Sequence, residues 1–442
     1  MSAMYLPDSV RQCVDTLEQA GFAAYAVGGC VRDSLLGLTP HDYDLCSAAL
    51  PEQIREIFRD HSLVLAGLKH GTVGVVTGGG VVEVTTFRTE GGYRDNRHPD
   101  WVKFVPTIEE DLARRDFTIN AMAWSPYRGF ADPFGGREDL KSHVLRAVGD
   151  PAVRFQEDSL RILRGVRFAA RFALTPEAQT LHAMELLTGL MDSLAAERVF
   201  DELCRLLPAA SAGDLLRYGQ ILTAVIPELA PTLGFDQHSP HHAYDLFTHI
   251  AHVTQAVPAE LSLRWAALLH DVGKVPTFTR DENGRGHFYS HASVSAEMAD
   301  AILHRLKAPN GLREQVVTLI AHHMTRLEPE KKLLRRRLSQ FGWDTVEQLL
   351  QLQEADMGSK GTGKPGEMDQ FAEIRRLLDE IRAENACLTL RDLAIDGRDL
   401  MAIGFRPGPA LGQCLDRLLS QVLDETLPNE RDALLQAARK TL

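Results

Sequence analysis

At 442 residues, 44% of them apolar, the chain is long enough for roughly three globular domains, and it contains no apolar run of the ~18 residues that a membrane span needs. Forty-eight basic against 60 acidic residues leave a net charge of −12, so a nucleic-acid partner has to be met by a local basic surface, not by the chain as a whole. The six cysteines (13, 30, 46, 204, 387 and 414) form no C-x-x-C pair, which suits free thiols in a reducing cytoplasm better than a disulfide framework or a zinc site. The opening residues MSAMYLPDSVRQC lack the basic-then-apolar order of a secretory signal.

In chain order, residues 1–24 read as an amphipathic helix with Val10, Val14, Leu17 and Ala20 at helical spacing and Gly21 as its stop. Tyr25-Ala26-Val27 is a short buried strand. Gly28-Gly29 after it lets backbone N–H groups approach an anion closely. Arg32-Asp33 and a short helix through Leu35-Leu36 follow, then Asp42-Tyr43-Asp44. If 42–45 is a strand, Asp42 and Asp44 point to one face, where two carboxylates favour a cation such as Mg²⁺. Alone, a Gly pair is more often a turn and a D-x-D more often surface. A helix starts at Pro51 and carries Ile54, Ile57 and Phe58. Residues 70–76 and 81–87 read as paired strands around Gly78–Gly80. Glu83 on the second is either a third acid at the cation or a solvated strand residue. Gly91 to Pro99 is a polar, Gly-rich loop.

The segment RRDFTINAMA (114–123) supplies two guanidinium forks, Arg114 and Arg115, for phosphate oxygens or for ion pairs with Glu109, Glu110 or Asp111. Asp132-Pro133-Phe134-Gly135-Gly136 is a turn entering a helix with Asp139-Leu140. In 154–172, Arg161, Arg164, Arg167 and Arg171 line one side of a helix whose apolar stripe is Leu160, Leu163, Val166 and Ala170. Residues 173–235 read as helical, with turns near 210–213 and 227–231. A second set of chemical residues follows: His249, then His270-Asp271 in LLHDVGK, His291, His322 and His323 in LIAHHM, and Asp356. Imidazoles with carboxylates suit a divalent transition metal that activates water. Lys331 to Arg337 is the densest basic run and the best local candidate for an RNA-backbone contact. Residues 357–368 are a Gly-rich linker, and the chain closes on an amphipathic helix.

The order strand, Gly-Gly, Arg-Asp, helix, D-x-D, then RRDFTINAMA, DPFGG and E-D-x-x-R, resembles the nucleotidyltransferase superfamily of DNA polymerase beta. More closely, it resembles class II CCA tRNA nucleotidyltransferases and bacterial poly(A) polymerases. The set around His270-Asp271 resembles the HD superfamily of phosphohydrolases. The resemblance implies an α+β protein, with a nucleotidyltransferase head at 1–150 of mixed sheet and helices. All-helical parts then follow: a neck/body at 151–235, an HD domain at 236–357, a linker and helix at 358–387 and a tRNA-binding tail at 388–442. It implies Mg²⁺ on Asp42 and Asp44, and nucleotide contacts from Gly29, Arg32, Arg114, Arg164 and Arg167. Asp158 and Arg161 are implied to read the Watson–Crick edge of the incoming base.

The implied HD ligands are His249, His270, Asp271, His291, His322 and Asp356, holding Mn, Ni, Fe or Co. The implied activity is addition of CCA to tRNA from CTP and ATP, in the cytoplasm and with no membrane partner. The HD centre is implied to be a cyclic phosphodiesterase or phosphatase in tRNA-end repair. The loop at 91–99 is implied to be needed for adding the terminal A. The alternatives are a poly(A) polymerase, an enzyme adding only C or only A, and a non-catalytic RNA-binding module.

Overall fold

The computed structural model describes residues 4–91, 101–240, 242–362 and 368–441, so the predicted loop at 91–99 lies almost wholly outside the described residues. The chain divides into two compact units, Met1–Ala230 and Pro231–Leu442. The fold class is α+β as predicted: a mixed sheet with helices, then mostly helical structure.

In the first unit, α1 (Asp8–Gln19) is shorter than the predicted span but buries Val10, Val14 and Leu17 as the spacing requires. It stops where Gly21 takes φ of 87°. Strand β1 (Ala24–Val27) leads through Gly28 into α2 (Gly29–Leu35), followed by β2 (Asp44–Ser47) and α3 (Pro51–Ile57). The sheet continues with β3 (Leu63–Val64), β4 (Thr72–Thr77) and β5 (Gly80–Thr86). A separate ribbon pairs β6 (Arg88–Gly91) with β7 (Trp101–Phe104). After α4 (Ile108–Leu112), β8 (Ala123–Ser125) and β9 (Gly129–Ala131) close the sheet in the order β3-β4-β5-β2-β1-β8-β9. Only β2 and β5 run parallel in it. Tyr25, Val27, Cys46, Phe87, Leu112 and Ala123 pack into one core on a face of this sheet.

Helix α5 (Gly136–Lys141) precedes the two-residue strand β10 (Val144–Leu145). Helices α6 (Pro151–Glu157) and α7 (Leu160–Phe172) lead to β11 (Thr175–Pro176), which pairs with β10. Helices α8 (Ala178–Leu186), α9 (Ala196–Leu206), α10 (Ala212–Arg217) and α11 (Gly219–Val225) complete the unit.

The second unit holds α12 (Leu246–Ala256) and α13 (Leu261–Leu269), then a hairpin of β12 (Phe278–Arg280) and β13 (Gly286–Phe288). Helices α14 (His291–Arg305), α15 (Asn310–His322), α16 (Lys331–Phe341) and α17 (Trp343–Gly358) follow. The β10–β11 pair and this hairpin correct the expectation that everything after the head is helical. Helix α17 runs into the predicted linker, of which 363–367 lie outside the described residues. The last part comprises α18 (Asp369–Ala383), α19 (Gly397–Ala402), α20 (Pro409–Leu423) and α21 (Arg431–Arg439). Leu400, Cys414, Leu418 and Leu434 give it a small core of its own.

Candidate active site and a second candidate metal centre

The first site is built where β1 ends. Gly28 has φ of 76° and ψ of −124°, a conformation that only glycine adopts without strain. A Cβ there would also stand 2.8 Å from Nη1 of Arg115. The absence of a side chain therefore lets one guanidinium lie against the backbone turn that starts α2. On the neighbouring strand, Asp44 is in register with Glu83 of parallel β5, so both side chains leave the same face of the sheet. Both are exposed, as is Asp42.

Strand β2 begins at Asp44, so Asp42 precedes it, and the two carboxylates do not share a face through strand alternation as predicted. Desolvation by the surrounding protein pushes the Asp44 carboxyl above the usual carboxylate range; Arg115 opposes this and Asp42 adds to it. Among the described residues, Asp42, Asp44 and Glu83 do not form a tight three-ligand group. The donor set is nevertheless all oxygen, open to solvent and anionic, which fits Mg²⁺ brought in with a nucleotide's phosphates.

The predicted arginines divide into those that face this site and those held elsewhere. Arg32 is buried, donating to Asp33 Oδ1 at 2.8 and 2.6 Å and to Asn120 Oδ1 at 2.5 Å. Its guanidinium lies 4.5 Å from the Phe172 ring centroid. Arg114 pairs with Asp111 at 3.0 Å and Glu90 at 3.2 Å. The guanidinium at the Gly28 turn is thus that of Arg115, reaching Asp111 at 3.4 Å; the residues themselves offered it with Arg114, whereas the resemblance implied Arg114 alone. Arg164 clamps Asp116 through two bonds of 2.9 and 2.6 Å. Arg167 is buried and paired with buried Glu202, a structural pair within the α7–α9 packing.

Asp158 and Arg161 are not paired with each other. Arg198 of α9 holds Asp158 by two bonds of 3.2 and 2.8 Å. Arg161 bonds Glu157 at 2.7 Å and the carbonyls of Arg154 and Arg114, each at 3.1 Å. Arg198 was not singled out from the sequence; Glu157, the last residue of α6, stood in the E-D-x-x-R motif but was not read as the partner of Arg161 in α7.

The second site lies within the second unit. Four histidines there direct Nδ1 at backbone carbonyls: His249 to Ser359 at 3.2 Å, His270 to Ala267 at 2.8 Å, His291 to Phe288 at 2.8 Å and His323 to Ile320 at 2.7 Å. A carbonyl can only accept, so each Nδ1 carries the proton and each Nε2 presents a lone pair. These lone pairs converge on Asp271. His249 and His270 lie 3.5 and 3.2 Å from its Oδ2, and His291 and His323 lie 3.4 and 3.9 Å from its Oδ1. Asp356 approaches His249 at 3.0 Å and His270 at 4.0 Å.

Asp271 is thereby shared by two ligand groups, His249–His270–Asp271 and Asp271–His291–His323. Nε2 of His249 and of His270 are buried without hydrogen-bond partners, an arrangement that a bound cation would satisfy, while Asp271 Oδ2 is ion-paired with Lys274 at 2.7 Å. Burial pushes His323 down to about 4 and also lowers His291, so both are neutral near pH 7. At His270 burial is outweighed by the Asp271 and Asp356 charges, which raise it while no cation competes for its Nε2. His322 is a correction. It ends α15 pointing away, 4.6 Å from the Phe341 ring, and His323 takes the ligand position. Val316 and Ile320 mark the buried face, and His323 lies seven and three residues on, so helical periodicity carried the answer.

The basic run has a structural use. Lys331 pairs with Glu380 and Glu384 at 2.7 Å each, Arg335 with Glu384 at 2.7 Å and with Glu425, and Arg336 with Asp424 at 2.6 Å. These pairs lie where α16 meets α18 and the end of α20. No helix among the described residues is long and apolar enough to cross a membrane.

Three family models match the chain: the poly A polymerase head domain at 24–146, the "Probable RNA and SrmB-binding site of polymerase A" at 173–233 and tRNA nucleotidyltransferase domain 2 at 277–438. The chain is 35% identical to the CCA-adding enzyme of Levilactobacillus brevis over 99% of both chains. It is 34% identical to that of Streptococcus mutans over the full length of both. Among solved structures, the CCA-adding enzyme of Bacillus stearothermophilus in complex with CTP is similar with a TM-score of 0.71 at 28% identity, over 100% of this chain and 98% of that one.

Proposed function

The chain belongs to the CCA-adding enzyme family, and from that membership we propose that it adds C, C and A in turn to the 3′ end of tRNA, using CTP and ATP and releasing pyrophosphate. The observation that carries this reading is the face on which Asp44 and Glu83 stand in register beside the Gly28 turn and Arg115. The 3′-hydroxyl oxygen of tRNA forms a bond to the α-phosphorus, and the bond from that phosphorus to the bridging oxygen of pyrophosphate breaks. Asp42 and Asp44, with Glu83 beside them, would hold Mg²⁺, which when bound lowers the pKa of the attacking hydroxyl and offsets charge on the phosphate oxygens. Arg115 is held at the turn to meet a phosphate oxygen, and the backbone of Gly28-Gly29 leaves that approach open.

In the base-reading role, Asp158 and Arg161 exchange their present partners, Arg198 and Glu157, for the base edge. C and A would satisfy the pair, whereas G and U would leave polar groups unpaired. Incubation with tRNA lacking three, two or one terminal nucleotides and labelled CTP or ATP tests the reading. Two C and one A followed by a stop supports it; an unlimited run of A supports a poly(A) polymerase instead.

A second reading is favoured by the four Nδ1-anchored histidines. We infer that the centre at Asp271 is an HD-type phosphohydrolase holding Mn, Ni, Fe or Co, able to trim a phosphorylated or cyclised tRNA end in the cytoplasm. A transition metal bound there would activate water and polarise the phosphoester. The chain's own contribution is to fix the imidazoles in the ligating tautomer and to seat Lys274 Nζ 2.7 Å from Asp271. Hydrolysis of 2′,3′-cyclic AMP across these metals, lost in His270→Ala, tests it.

A further inference from the structure

The hairpin of β12 and β13 runs directly into the Asp271 centre. His291, three residues after the end of β13, is the first residue of α14. Between them Ser290 takes φ of 62° and ψ of 16°, a left-handed conformation that a non-glycine residue adopts only where its surroundings impose it. That turn directs His291 inward, with its Nδ1 on the carbonyl of Phe288, and leaves Tyr289 outside, 72% exposed. The Tyr289 ring is not loose. It lies parallel to His287, with centroids 5.5 Å apart and planes 5° apart. His287 is itself tied through Nε2 to Asp281 Oδ2 at 3.0 Å. One face of the tyrosine is thus backed by an anchored ring and the other is open. Arg280 and His238 bond each other at the root of the same hairpin, adding cationic character.

A backed aromatic ring with an open face, beside cationic side chains, is the arrangement on which unpaired bases stack. Tyr289 and His291 are two residues apart, so their Cα atoms lie within about 7 Å of each other. We propose that Tyr289 is the specificity-determining residue of this centre, stacking the base of a ribonucleotide whose 2′ or 3′ phosphoester lies at Asp271. The substrate class is therefore a nucleotide or RNA end, not a small phosphoester without a base. The proposal rests on the hydrolase reading of the centre. In the step it serves, the oxygen of water bonds to phosphorus, one ribose P–O bond breaks, and the freed ribose oxygen takes the proton.

The test compares wild type, Tyr289→Ala and Tyr289→Phe. Hydrolysis of 2′,3′-cyclic AMP and of p-nitrophenyl phosphate is measured in Mn²⁺, Ni²⁺ or Co²⁺. Binding of labelled 3′-AMP to the metal-free protein is measured by equilibrium dialysis, with CTP binding as the control for an intact head. Tyr289→Ala should raise KM for the cyclic nucleotide and Kd for 3′-AMP by about tenfold or more. It should leave p-nitrophenyl phosphate hydrolysis and CTP binding unchanged, and Tyr289→Phe should behave as wild type. Unchanged KM and Kd in Tyr289→Ala, or an equal loss with p-nitrophenyl phosphate, overturns the proposal. If wild type hydrolyses neither ester with any metal, the hydrolase reading fails, and the dialysis still decides whether Tyr289 holds a base.

Discussion

The two sites of this chain handle charge in opposite ways. At Asp44 the carboxylates stand on an open sheet face, exposed and without a tight ligand group. At Asp271 the donors are buried, the histidine tautomers are fixed by backbone carbonyls, and Nε2 of His249 and of His270 lack a hydrogen-bond partner. An open oxygen site suits a cation that arrives with a nucleotide and departs with pyrophosphate. A closed nitrogen–oxygen site suits a resident cation, because orphaned buried polar atoms are destabilising until it binds. On the proposed reading, the first site would exchange its cation at every turnover and the second would keep one.

The largest expected effect breaks the comparison on the open side. Asp44→Ala should reduce nucleotide addition at least ~10³-fold, since several kcal/mol of charge stabilisation disappear at ~1.4 kcal/mol per decade. Single-turnover incorporation measures this, and the transition-metal content of the same sample should equal that of wild type. On the closed side, His323→Ala should weaken metal binding by more than the ~10- to 100-fold typical of groups that only orient a ligand. His322→Ala should leave it unchanged; elemental analysis after dialysis distinguishes the two.

The third expectation concerns which arginines belong to the fold. Glu202→Ala strands the buried Arg167 charge and should lower stability by about 3–5 kcal/mol, read as a shift of the urea midpoint. Replacing both with apolar residues should restore most of it. If Glu202→Ala instead raised KM for CTP at unchanged stability, Arg167 would be a triphosphate ligand. The smallest effect is on acid stability. Burial raises the Asp116 carboxyl, but Arg164, Asn120 and Arg161 outweigh it and hold the group well below the ordinary range. Its folded value lies below its unfolded one, so its contribution is complete above pH ~5 and is lost progressively as pH falls further. Asp116→Asn should flatten the acid limb of an unfolding curve between pH 5 and pH 2.

Much of the fold was legible because local rules and tertiary packing agree. The paired strands expected at 70–76 and 81–87 became β4 and β5 with end shifts of one or two residues, and the helix expected over 1–24 became the shorter α1. The Gly28 turn was legible because only glycine fits it. What sequence could not supply was the pairing of charges. Four arginines at helical spacing look alike in a string, yet Arg161 answers to Glu157, Arg164 to Asp116 and Arg167 to Glu202. The last two partners lie 48 and 35 residues away, so chain folding alone selects them. The partners of the basic run at 331–337 were hidden for the same reason, lying 49 to 90 residues downstream. His323 was within reach: the buried face of α15 pointed to it.

The most direct test of the two-site account is the rate of nucleotide addition by protein stripped of resident metal with a chelator and returned to Mg²⁺ alone. The account predicts two C and one A added to tRNA at the untreated rate, with 2′,3′-cyclic AMP hydrolysis absent until Mn²⁺, Ni²⁺ or Co²⁺ is restored. Addition that vanishes on stripping and returns only with a transition metal would contradict it, since the open carboxylate site would then depend on the closed one.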